Sequence, residues 1–372
     1  MFEIDELIIL LNNYCNLRCR YCNFREDRPE QFIECTSEHM RKAITLFFEN
    51  IKHFPQTERI LCFNANGEVL LSRSLLLEGI QHATNLKETY HAGNVLIAVV
   101  TNGTLLDHHI SLQFAHFGVV VTVSIDGDAS VHDRNRLDKK GLPTHLKVVE
   151  GIYHLRTAGV PVSVRAVVSP ETAPQIAEMY RFLRSLHPSK TVKLRPMRRM
   201  DNTLSPDEWV HEFTTYYVSC VEDLLSNGTP ISELPDDAYH FAKFIMEGGH
   251  RQKYCGAGHS MLWMTPTGFF TTCGLFTNSH EMLGHIDDIY SLEDFLDLLN
   301  QPFAHRLRTS APNLQEPCAS CYWLAVCQGG CPALTLIPEN IYHLPPLCMF
   351  YSKLGSTLQK LLTNTSSQDF RG

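Results

Sequence analysis

The 372-residue chain lacks the features typical of nucleic-acid-binding, secreted and membrane-spanning proteins. Its 32 Lys and Arg are outnumbered by 40 Asp and Glu, and the formal net charge of −8 provides no basic field for nucleic acid. Apolar runs such as 7–11 are far too short to cross a bilayer. The first six residues, MFEIDE, contain no basic segment of a secretory signal, and no internal repeat is present. We therefore expect a cytoplasmic protein with no nucleic-acid or membrane partner.

Cysteine, by contrast, is abundant. Thirteen cysteines in a chain without a signal peptide favour metal binding or redox chemistry over disulfides. Ten of them fall into two sets, one near the N-terminus and one in the C-terminal third. Cys35, Cys62 and Cys220 have no partner at a ligand spacing, and we expect them to be ordinary buried thiols.

The first 200 residues alternate β-branched runs with helical patterns. Strands are predicted at 7–11, 60–63, 95–101, 119–125, 162–168 and 192–195. Helices are predicted at 36–49, 73–86, 105–116, 144–158 and 171–186. Regular alternation indicates parallel βα units, and six strands suit an incomplete βα barrel better than a closed eight-stranded one. The predicted fold class is therefore α/β.

Beyond the barrel the composition and the hydrophobic pattern of the sequence change twice. Residues 206–226 and 236–248 read as helices, and the chain after 251 consists of short strands with Gly, Pro and Cys. A closing helix is predicted at 350–362. We expect a barrel over 1–204, a helical bridge over 205–250, a cysteine-rich α+β domain over 251–349, and a helix with a polar tail over 350–372.

The N-terminal cysteines form a C-x3-C-x2-C loop directly after the first strand. Its members are Cys15, Cys19 and Cys22. Zinc requires a fourth ligand, for which His39 is one candidate. A 4Fe–4S cluster held by only three thiolates leaves one iron with an open position, where chemistry can take place.

This loop, with Tyr21 directly before its last cysteine, resembles the signature of radical S-adenosylmethionine (SAM) enzymes. The resemblance implies a partial (β/α)6 barrel in which the amine and carboxylate of SAM chelate the open iron. It further implies that one electron splits SAM into methionine and a 5′-deoxyadenosyl radical, which abstracts a hydrogen atom from the substrate.

A segment after the second predicted strand resembles the part of the family's SAM pocket that holds the methionine amine. Gly67 and Glu68 match that segment, whereas Asn66 and Val69 replace the usual Gly and Pro. By this resemblance, the Glu68 carboxylate pairs with the ammonium group of SAM.

Three further segments resemble the SAM pocket, each at the end of its own strand. They are Thr-Asn-Gly-Thr at 101–104, Ser-Ile-Asp-Gly at 124–127 with His-Asp-Arg-Asn-Arg at 132–136, and the end of the fifth strand. The resemblance assigns SAM contacts to Asn102, Ser124, Asp126, Arg136 and, against adenine, Val168. Each segment alone is more typical of a turn or a solvated loop, and their order along the strands gives them weight.

The second cysteine set contains seven residues. They are Cys255, Cys273, Cys318, Cys321, Cys327, Cys331 and Cys348. The set resembles the SPASM domain of peptide-modifying radical SAM enzymes and implies two auxiliary 4Fe–4S clusters, three clusters in all. By the family's pattern, 318, 321, 327 and 348 hold one auxiliary cluster, and 255, 273 and 331 hold the other. A zinc ribbon is the alternative.

Two positions depart from the pattern of sulfatase-maturing relatives. Those relatives carry a catalytic Asp where this chain has Gly274, which argues against sulfatase maturation. They also carry a fourth cluster ligand where this chain has Met261, so one iron of that auxiliary cluster is open unless His259 or another group fills the position. No catalytic side chain can be assigned from the sequence.

The resemblance predicts an enzyme that acts on a precursor peptide or protein. The expected product is an oxidative cross-link, either a thioether or a C–C or C–O bond. Alternatives are a dehydrogenase or epimerase acting on a small molecule or peptide, and an iron–sulfur electron carrier or degenerate scaffold without SAM cleavage. Ferredoxin or flavodoxin is the expected reductant. Because only 14 residues precede Cys15, we expect a separate leader-binding protein, or recognition by the barrel or bridge.

Overall fold

A computed structural model describes residues 2–22, 31–54, 57–189, 192–198, 204–248, 254–276, 278–309, 316, 318–335 and 347–365. The nine strands of these segments are β1 Glu6–Leu10, β2 Arg59–Asn64, β3 Val95–Thr101, β4 Val120–Ser124, β5 Val162–Val168, β6 Lys193–Pro196, β7 Met261–Met264, β8 Phe269–Thr271 and β9 Met282–His285. The α-helices are α1 Ser37–Ile51, α2 Arg73–Thr89, α3 His108–His116, α4 Ala129–Asn135, α5 His145–Thr157, α6 Ile176–Ser185, α7 Pro206–Ser226, α8 Asp236–Glu247, α9 Leu292–Asp297, α10 Pro302–Thr309, α11 Leu324–Cys327, α12 Pro332–Thr335 and α13 Cys348–Thr365.

All nine strands belong to one open sheet in the order β6-β5-β4-β3-β2-β1-β7-β8-β9. Strands β1 to β6 are parallel to their neighbours, with helices between them, which confirms the predicted α/β partial barrel. Strand β7 adds to β1 in parallel, and β8 and β9 follow as antiparallel strands.

The period of two along the strands gives the barrel a buried outer face and a more open inner face. In β5, Val162, Val164, Ala166 and Val168 are buried, whereas the alternating residues 163, 165 and 167 retain solvent-accessible surface. The buried set joins the hydrophobic core, and the other set forms what we call the inner face of the sheet.

Local sequence signals account for several helix boundaries. Thr36 caps α1, its hydroxyl accepting a hydrogen bond from the His39 backbone N–H at 3.1 Å. Ser205 and Glu208 form a capping box at the start of α7, with Pro206 as its first residue. Helix α4 was not predicted as a helix, because its sequence reads as a charged loop.

The C-terminal part of the chain continues the barrel sheet. Trp263 of β7 lies opposite Ile8 of β1, and α13 packs Phe350 against Phe213 and Tyr217 of α7, at ring-centroid distances of 5.3 and 5.0 Å. The division into four segments given above stays a prediction. None of the helices in the described segments is long and apolar enough to span a bilayer.

Candidate active site

The N-terminal cysteine loop leaves the carboxyl end of β1 and is fixed by backbone hydrogen bonds to the last residue of α4 and to the segment that follows it. Arg18 N–H donates to the Leu137 carbonyl at 2.8 Å, and Arg20 N–H donates to the Asn135 carbonyl at 2.9 Å. These bonds bring the loop to the end of β4, from which the segment carrying α4 departs.

The thiols of Cys15, Cys19 and Cys22 lie near one another. Burial raises the pKa of the Cys19 thiol to about 12; Arg136 opposes this rise, and the charges of Cys15 and Cys22 add to it. Three thiolates this close together repel one another. The protonated thiols are therefore favoured until a metal centre supplies positive charge. The chemistry of this donor set therefore fits an iron–sulfur cluster.

Gly67 lets the loop after β2 pass directly over the loop that carries the cysteines. A Cβ at this position would lie 1.7 Å from the Tyr14 carbonyl oxygen, so only glycine fits. The adjacent Glu68 N–H donates to that same oxygen at 2.7 Å. Gly67 and Glu68 are thereby held against Tyr14, the residue that precedes Cys15.

Glu68 is a fully buried carboxylate held by three donors. Thr101 Oγ1 donates to its Oε1 at 2.5 Å, Leu70 N–H donates to Oε1 at 3.1 Å, and Asn102 N–H donates to Oε2 at 2.7 Å. Burial raises the pKa of Glu68, and these three hydrogen bonds oppose the rise. No cationic side chain of the described segments contributes to the pKa of Glu68 or forms an ion pair with it.

Asn66 places a second acceptor in the same loop. Its side-chain Oδ1 is buried and has no hydrogen-bond donor within the described part of the chain. A buried carboxylate and an adjacent unpaired amide oxygen form a site that suits a cation with several N–H donors.

Asn102 connects this acceptor site to the cysteine loop. Its Nδ2 donates to Asn16 Oδ1 at 2.9 Å and lies 3.7 Å from Cys15 Sγ. Its Oδ1 accepts from the Thr104 backbone N–H and hydroxyl at 3.0 and 2.7 Å. In this structure Asn102 therefore positions Cys15 and Glu68.

The Asp126 carboxylate, predicted to contact SAM, is bonded to residues of the chain itself. It is fully buried and accepts hydrogen bonds from the Tyr21 hydroxyl and, at 3.0 Å, from the Val167 N–H. Arg136 Nε lies 3.1 Å from Oδ1 as an ion pair without hydrogen-bond alignment, and the guanidinium carbon lies 5.3 Å from the centre of the Tyr21 ring. Asp126 thus orients Tyr21 and Arg136, and segment 132–136 is largely buried.

Ser124 and Val168 occupy different faces of the sheet. Ser124 Oγ, at the end of β4, accepts from Arg165 Nε at 3.4 Å. The Val168 side chain lies in the core with Val164 and Ala166, because the period of two turns it away from the inner face. The contact between Val168 and adenine stays a prediction.

The C-terminal cysteines gather in two groups. Burial raises the pKa of Cys327 to about 11, and the charges of Cys348, Cys321 and Cys318 add to the rise. Burial likewise raises the pKa of Cys273 to about 12, with further contributions from Cys331 and Cys255. These are the two sets that the resemblance implies.

Within the described segments, no three His, Cys, Asp or Glu side chains surround one point closely enough for a single metal ion. The thiolates of a cubane cluster bind separate irons, which is a different arrangement. His39, considered above as a zinc ligand, lies 3.0 Å from Asp287 through its Nε2.

The position after Cys273 has no room for a side chain. A Cβ on Gly274 would lie 2.6 Å from the Trp263 indole ring, which occupies that space. Met261 begins β7 and packs on Gly256, beside Cys255.

The three remaining cysteines are buried, as predicted. Cys62 of β2 is opposite Ala98 on the inner face, and its pKa is raised to about 12 by burial, against the influence of Arg165. Cys220 lies on α7 near Arg181, outside the barrel. Of the two thiols considered for epimerisation, only Cys62 shares the inner face.

Arg165 of β5 was not among the predicted site residues. The sequence does contain a signal for it: a charged residue stands at the centre of a strand otherwise made of Val, Ala and Ser. Because side chains alternate along a strand, this residue belongs on the inner face.

Comparison with known proteins identifies the first half of the chain. The family model of the radical SAM superfamily matches residues 9–183. The chain is 25% identical over 350 residues to the serine-type anaerobic sulfatase-maturating enzyme of Bacteroides thetaiotaomicron, covering 86% of this chain and 80% of that protein. It is 24% identical over 362 residues to the antilisterial bacteriocin subtilosin biosynthesis protein AlbA of Bacillus subtilis, covering 91% and 69%.

Solved structures share the fold. Native anSMEcpe with bound AdoMet superposes with a TM-score of 0.77 at 19% identity, covering 98% of this chain and 100% of that chain. Streptococcus suis SuiB bound to S-adenosylmethionine gives a TM-score of 0.63 at 15% identity, covering 93% and 77%. Together with the cysteine loop and the open parallel barrel, the family match shows that residues 9–183 form a domain of the radical SAM superfamily, and the similarity to maturating enzymes indicates that the chain is an enzyme.

Proposed function

We propose that this enzyme oxidatively modifies a ribosomally made peptide or protein, forming a thioether, C–C or C–O cross-link. Relatives over most of the chain are named as a sulfatase-maturating enzyme and as a biosynthesis protein of the bacteriocin subtilosin, and both names connect this architecture with proteins or peptides. The C-terminal cysteines that accompany the barrel provide the ligands for auxiliary clusters in such an enzyme.

The observation that carries the proposal is the buried Glu68 carboxylate beside the cysteine loop. Within the described segments it has three hydrogen-bond donors but no cation, and Asn66 Oδ1 adds an acceptor that has no donor there. An uncompensated buried carboxylate is costly, and an ammonium group placed here would stabilise its charged form. The amine of SAM is such a group.

The chain's own residues hold three clusters and SAM in this proposal. Cys15, Cys19 and Cys22 hold the cluster to which SAM binds, while Gly67 and Asn102 position Glu68 for the SAM amine. When bound, SAM and this cluster supply one-electron cleavage of SAM and abstraction of a hydrogen atom from the substrate.

Each of the two C-terminal cysteine groups would hold one auxiliary cluster. The residues that hold one cluster are 318, 321, 327 and 348, and those that hold the other are 255, 273 and 331. Ferredoxin or flavodoxin delivers the electron.

Sulfatase maturation is less well supported than cross-linking. The sequence resemblance places the catalytic Asp of those relatives at Gly274, and the Trp263 ring leaves no space for it. A proton acceptor would have to come from another element.

The test is anaerobic incubation of reconstituted enzyme with SAM and a strong reductant, followed by measurement of 5′-deoxyadenosine. We expect release by the wild type and a decrease of at least about tenfold in Glu68→Gln, because a buried charge-assisted pairing worth roughly 1.5–3 kcal/mol is lost. Glu150→Gln, an exposed position on α5, is the matched control. No release by the wild type would contradict SAM cleavage, and full activity of Glu68→Gln would contradict the assigned pocket.

Substrate modification is measured as a change in peptide mass by mass spectrometry. Candidate peptides coexpressed anaerobically with the enzyme should lose two hydrogens, and fragmentation then locates the bond. An unchanged mass with deuterium uptake from heavy water would indicate epimerisation instead, for which Cys62 is the thiol on the inner face.

A further inference from the structure

The cysteine loop near the N-terminus carries exposed positive charge. Arg18 and Arg20 alternate with its three cysteines, and both arginines are exposed. Residues 14–22 contain no Asp or Glu. The loop therefore presents only cations to solvent, although the formal net charge of the whole chain is −8.

Two lysines of the neighbouring turn lie beside this loop. An antiparallel bridge between Leu17 and Asp138 sets the turn against the loop. Lys139 and Lys140 follow Asp138 in the chain and are exposed. Lys139 Nζ lies 3.4 Å from the centre of the ring of Tyr14, the residue that precedes the first cysteine. We call the following four cations the basic edge: Arg18, Arg20, Lys139 and Lys140.

The acidic side chains beside the basic edge accept hydrogen bonds from other groups of the protein. Asp138 accepts from two backbone N–H groups of its own turn, each at 2.8 Å. Asp133 accepts from two backbone N–H groups at the start of α5, and Glu171 accepts from the Ser169 hydroxyl at 2.7 Å. Within the described segments, none of these carboxylates forms an ion pair with a member of the basic edge.

The basic edge is separate from the buried pocket around Glu68. The pKa of Glu68 responds to burial and to hydrogen bonds from Thr101, Asn102 and Leu70, and no lysine or arginine contributes to it. Glu68 and Asn102 are buried, whereas all four members of the basic edge are exposed. The basic edge therefore faces a partner outside the barrel and not the SAM pocket inside it.

An exposed aromatic ring adds a small apolar area to this surface. Phe32 is 44% exposed, and its ring meets the Tyr14 ring edge-on at a centroid distance of 6.0 Å. Complexes between redox proteins bury little surface, and complementary charge steers the two proteins together. Four cations beside a single exposed ring suit such an encounter with a negatively charged protein.

We propose that the basic edge docks an acidic one-electron carrier protein, which reduces the cluster held by Cys15, Cys19 and Cys22. The inference rests on the proposed function, because SAM cleavage is the step that consumes the electron. The docked carrier is oxidised by one electron and the cluster is reduced by one, and no bond is formed or broken. An acidic segment of the precursor peptide has the same charge. The peptide, however, must reach the inner face of the barrel, whereas a carrier must only approach the cysteine loop.

Docking is measured with oxidised flavodoxin, an acidic flavoprotein, and the reconstituted holoenzyme at low ionic strength. We expect the double variant Lys139→Glu with Lys140→Glu to weaken binding at least about fivefold, because it replaces attraction by repulsion. Binding to the wild type should weaken as salt is added, since the Debye length shortens. Carbodiimide, which joins lysine amines to carboxylates, should cross-link flavodoxin to Lys139 or Lys140.

Electron delivery is measured as 5′-deoxyadenosine release driven either by reduced flavodoxin or by dithionite. The double variant should lose at least about fivefold of the flavodoxin-driven rate and keep the dithionite-driven rate, since a small reductant needs no docking surface. Lys139→Arg with Lys140→Arg keeps the charge and should keep both rates. Lys353→Glu with Lys360→Glu makes the same charge change at exposed positions of α13 and should also keep both rates.

Four results would overturn the proposal. The first is a wild type that is active with dithionite but binds neither flavodoxin nor a ferredoxin. The others are unchanged flavodoxin binding in the double variant, an equal loss of its rate with both reductants, and loss of peptide modification with an unchanged flavodoxin-driven rate. The last result would assign the basic edge to the precursor peptide. A wild type that is inactive even with dithionite would contradict SAM cleavage instead, and flavodoxin binding would still test the basic edge.

Discussion

Among single residues, Gly67 is the one at which the SAM pocket leaves least room for a side chain, because it contacts the backbone that leads into Cys15. Adding one methyl group there places a carbon 1.7 Å from the Tyr14 carbonyl oxygen, and neither backbone can move without displacing the cysteine loop. The requirement for glycine at position 67 is steric, and it does not depend on which ligand occupies the pocket.

We expect Gly67→Ala to lose about 3 kcal/mol or more of stability and most of its N-terminal cluster, since backbone overlap exceeds ordinary overpacking of a core. The measurements are the denaturation midpoint and the iron content after reconstitution. Gly93→Ala is the control, because a Cβ there meets no atom within 4 Å. Equal iron content in the two variants would show that the loop can shift.

At the scale of elements, helix α4 is fixed to the barrel through His132. The ring Nδ1 accepts from the Asp126 N–H at 3.4 Å, and Nε2 lies 3.1 Å from Thr144 Oγ1. Burial lowers the pKa of His132 to about 3, and Arg136 lowers it further. The folded protein therefore holds this histidine neutral.

This burial makes the stability of the protein depend on pH. The unfolded chain takes up the proton near pH 6.5 and the folded chain near 3, so the stabilisation is complete above 6.5 and is lost as the pH falls toward 3. Between pH 6.5 and 5.5 the loss should be about 1 kcal/mol. Urea unfolding at both values should show this loss in the wild type and in His211→Gln, an exposed change on α7, but not in His132→Gln. An unchanged pH dependence in His132→Gln would refute the assignment.

On the scale of the whole molecule, the barrel and the C-terminal region share one sheet. Strand β1, which leads into the cysteine loop, has β2 on one side and β7 on the other. Removing the C-terminal region would therefore leave β1 with an unpaired, apolar edge.

We expect the fragment 1–250 to be poorly soluble, and any soluble fraction to unfold with a lower midpoint than the full chain. Circular dichroism melting and size-exclusion chromatography of both proteins provide the measurement. A monomeric fragment that melts with the midpoint of the full chain would mean that the barrel folds independently of β7.

Most elements were predictable because strand alternation and helix capping are local signals. The predicted bounds of β3 and β5 match the structure residue for residue, and α7 begins at Pro206 as its capping box indicates. Helix α4 was not predictable in this way, because its His132 becomes buried only through contacts with Asp126 and Thr144. The position of Val168 depends on which face of β5 meets the helices.

The order of the amino acids was enough to indicate the parallel barrel, the radical SAM family and the two cysteine sets, because alternation and ligand spacing are properties of short segments. The chain had to fold before Asp126 could be seen to contact Tyr21 and Arg136, and before Arg165 could be seen to meet Ser124 on the inner face. Those facts depend on residues far apart in sequence that share one enclosed face, where burial determines which charges are paired and which remain for a ligand.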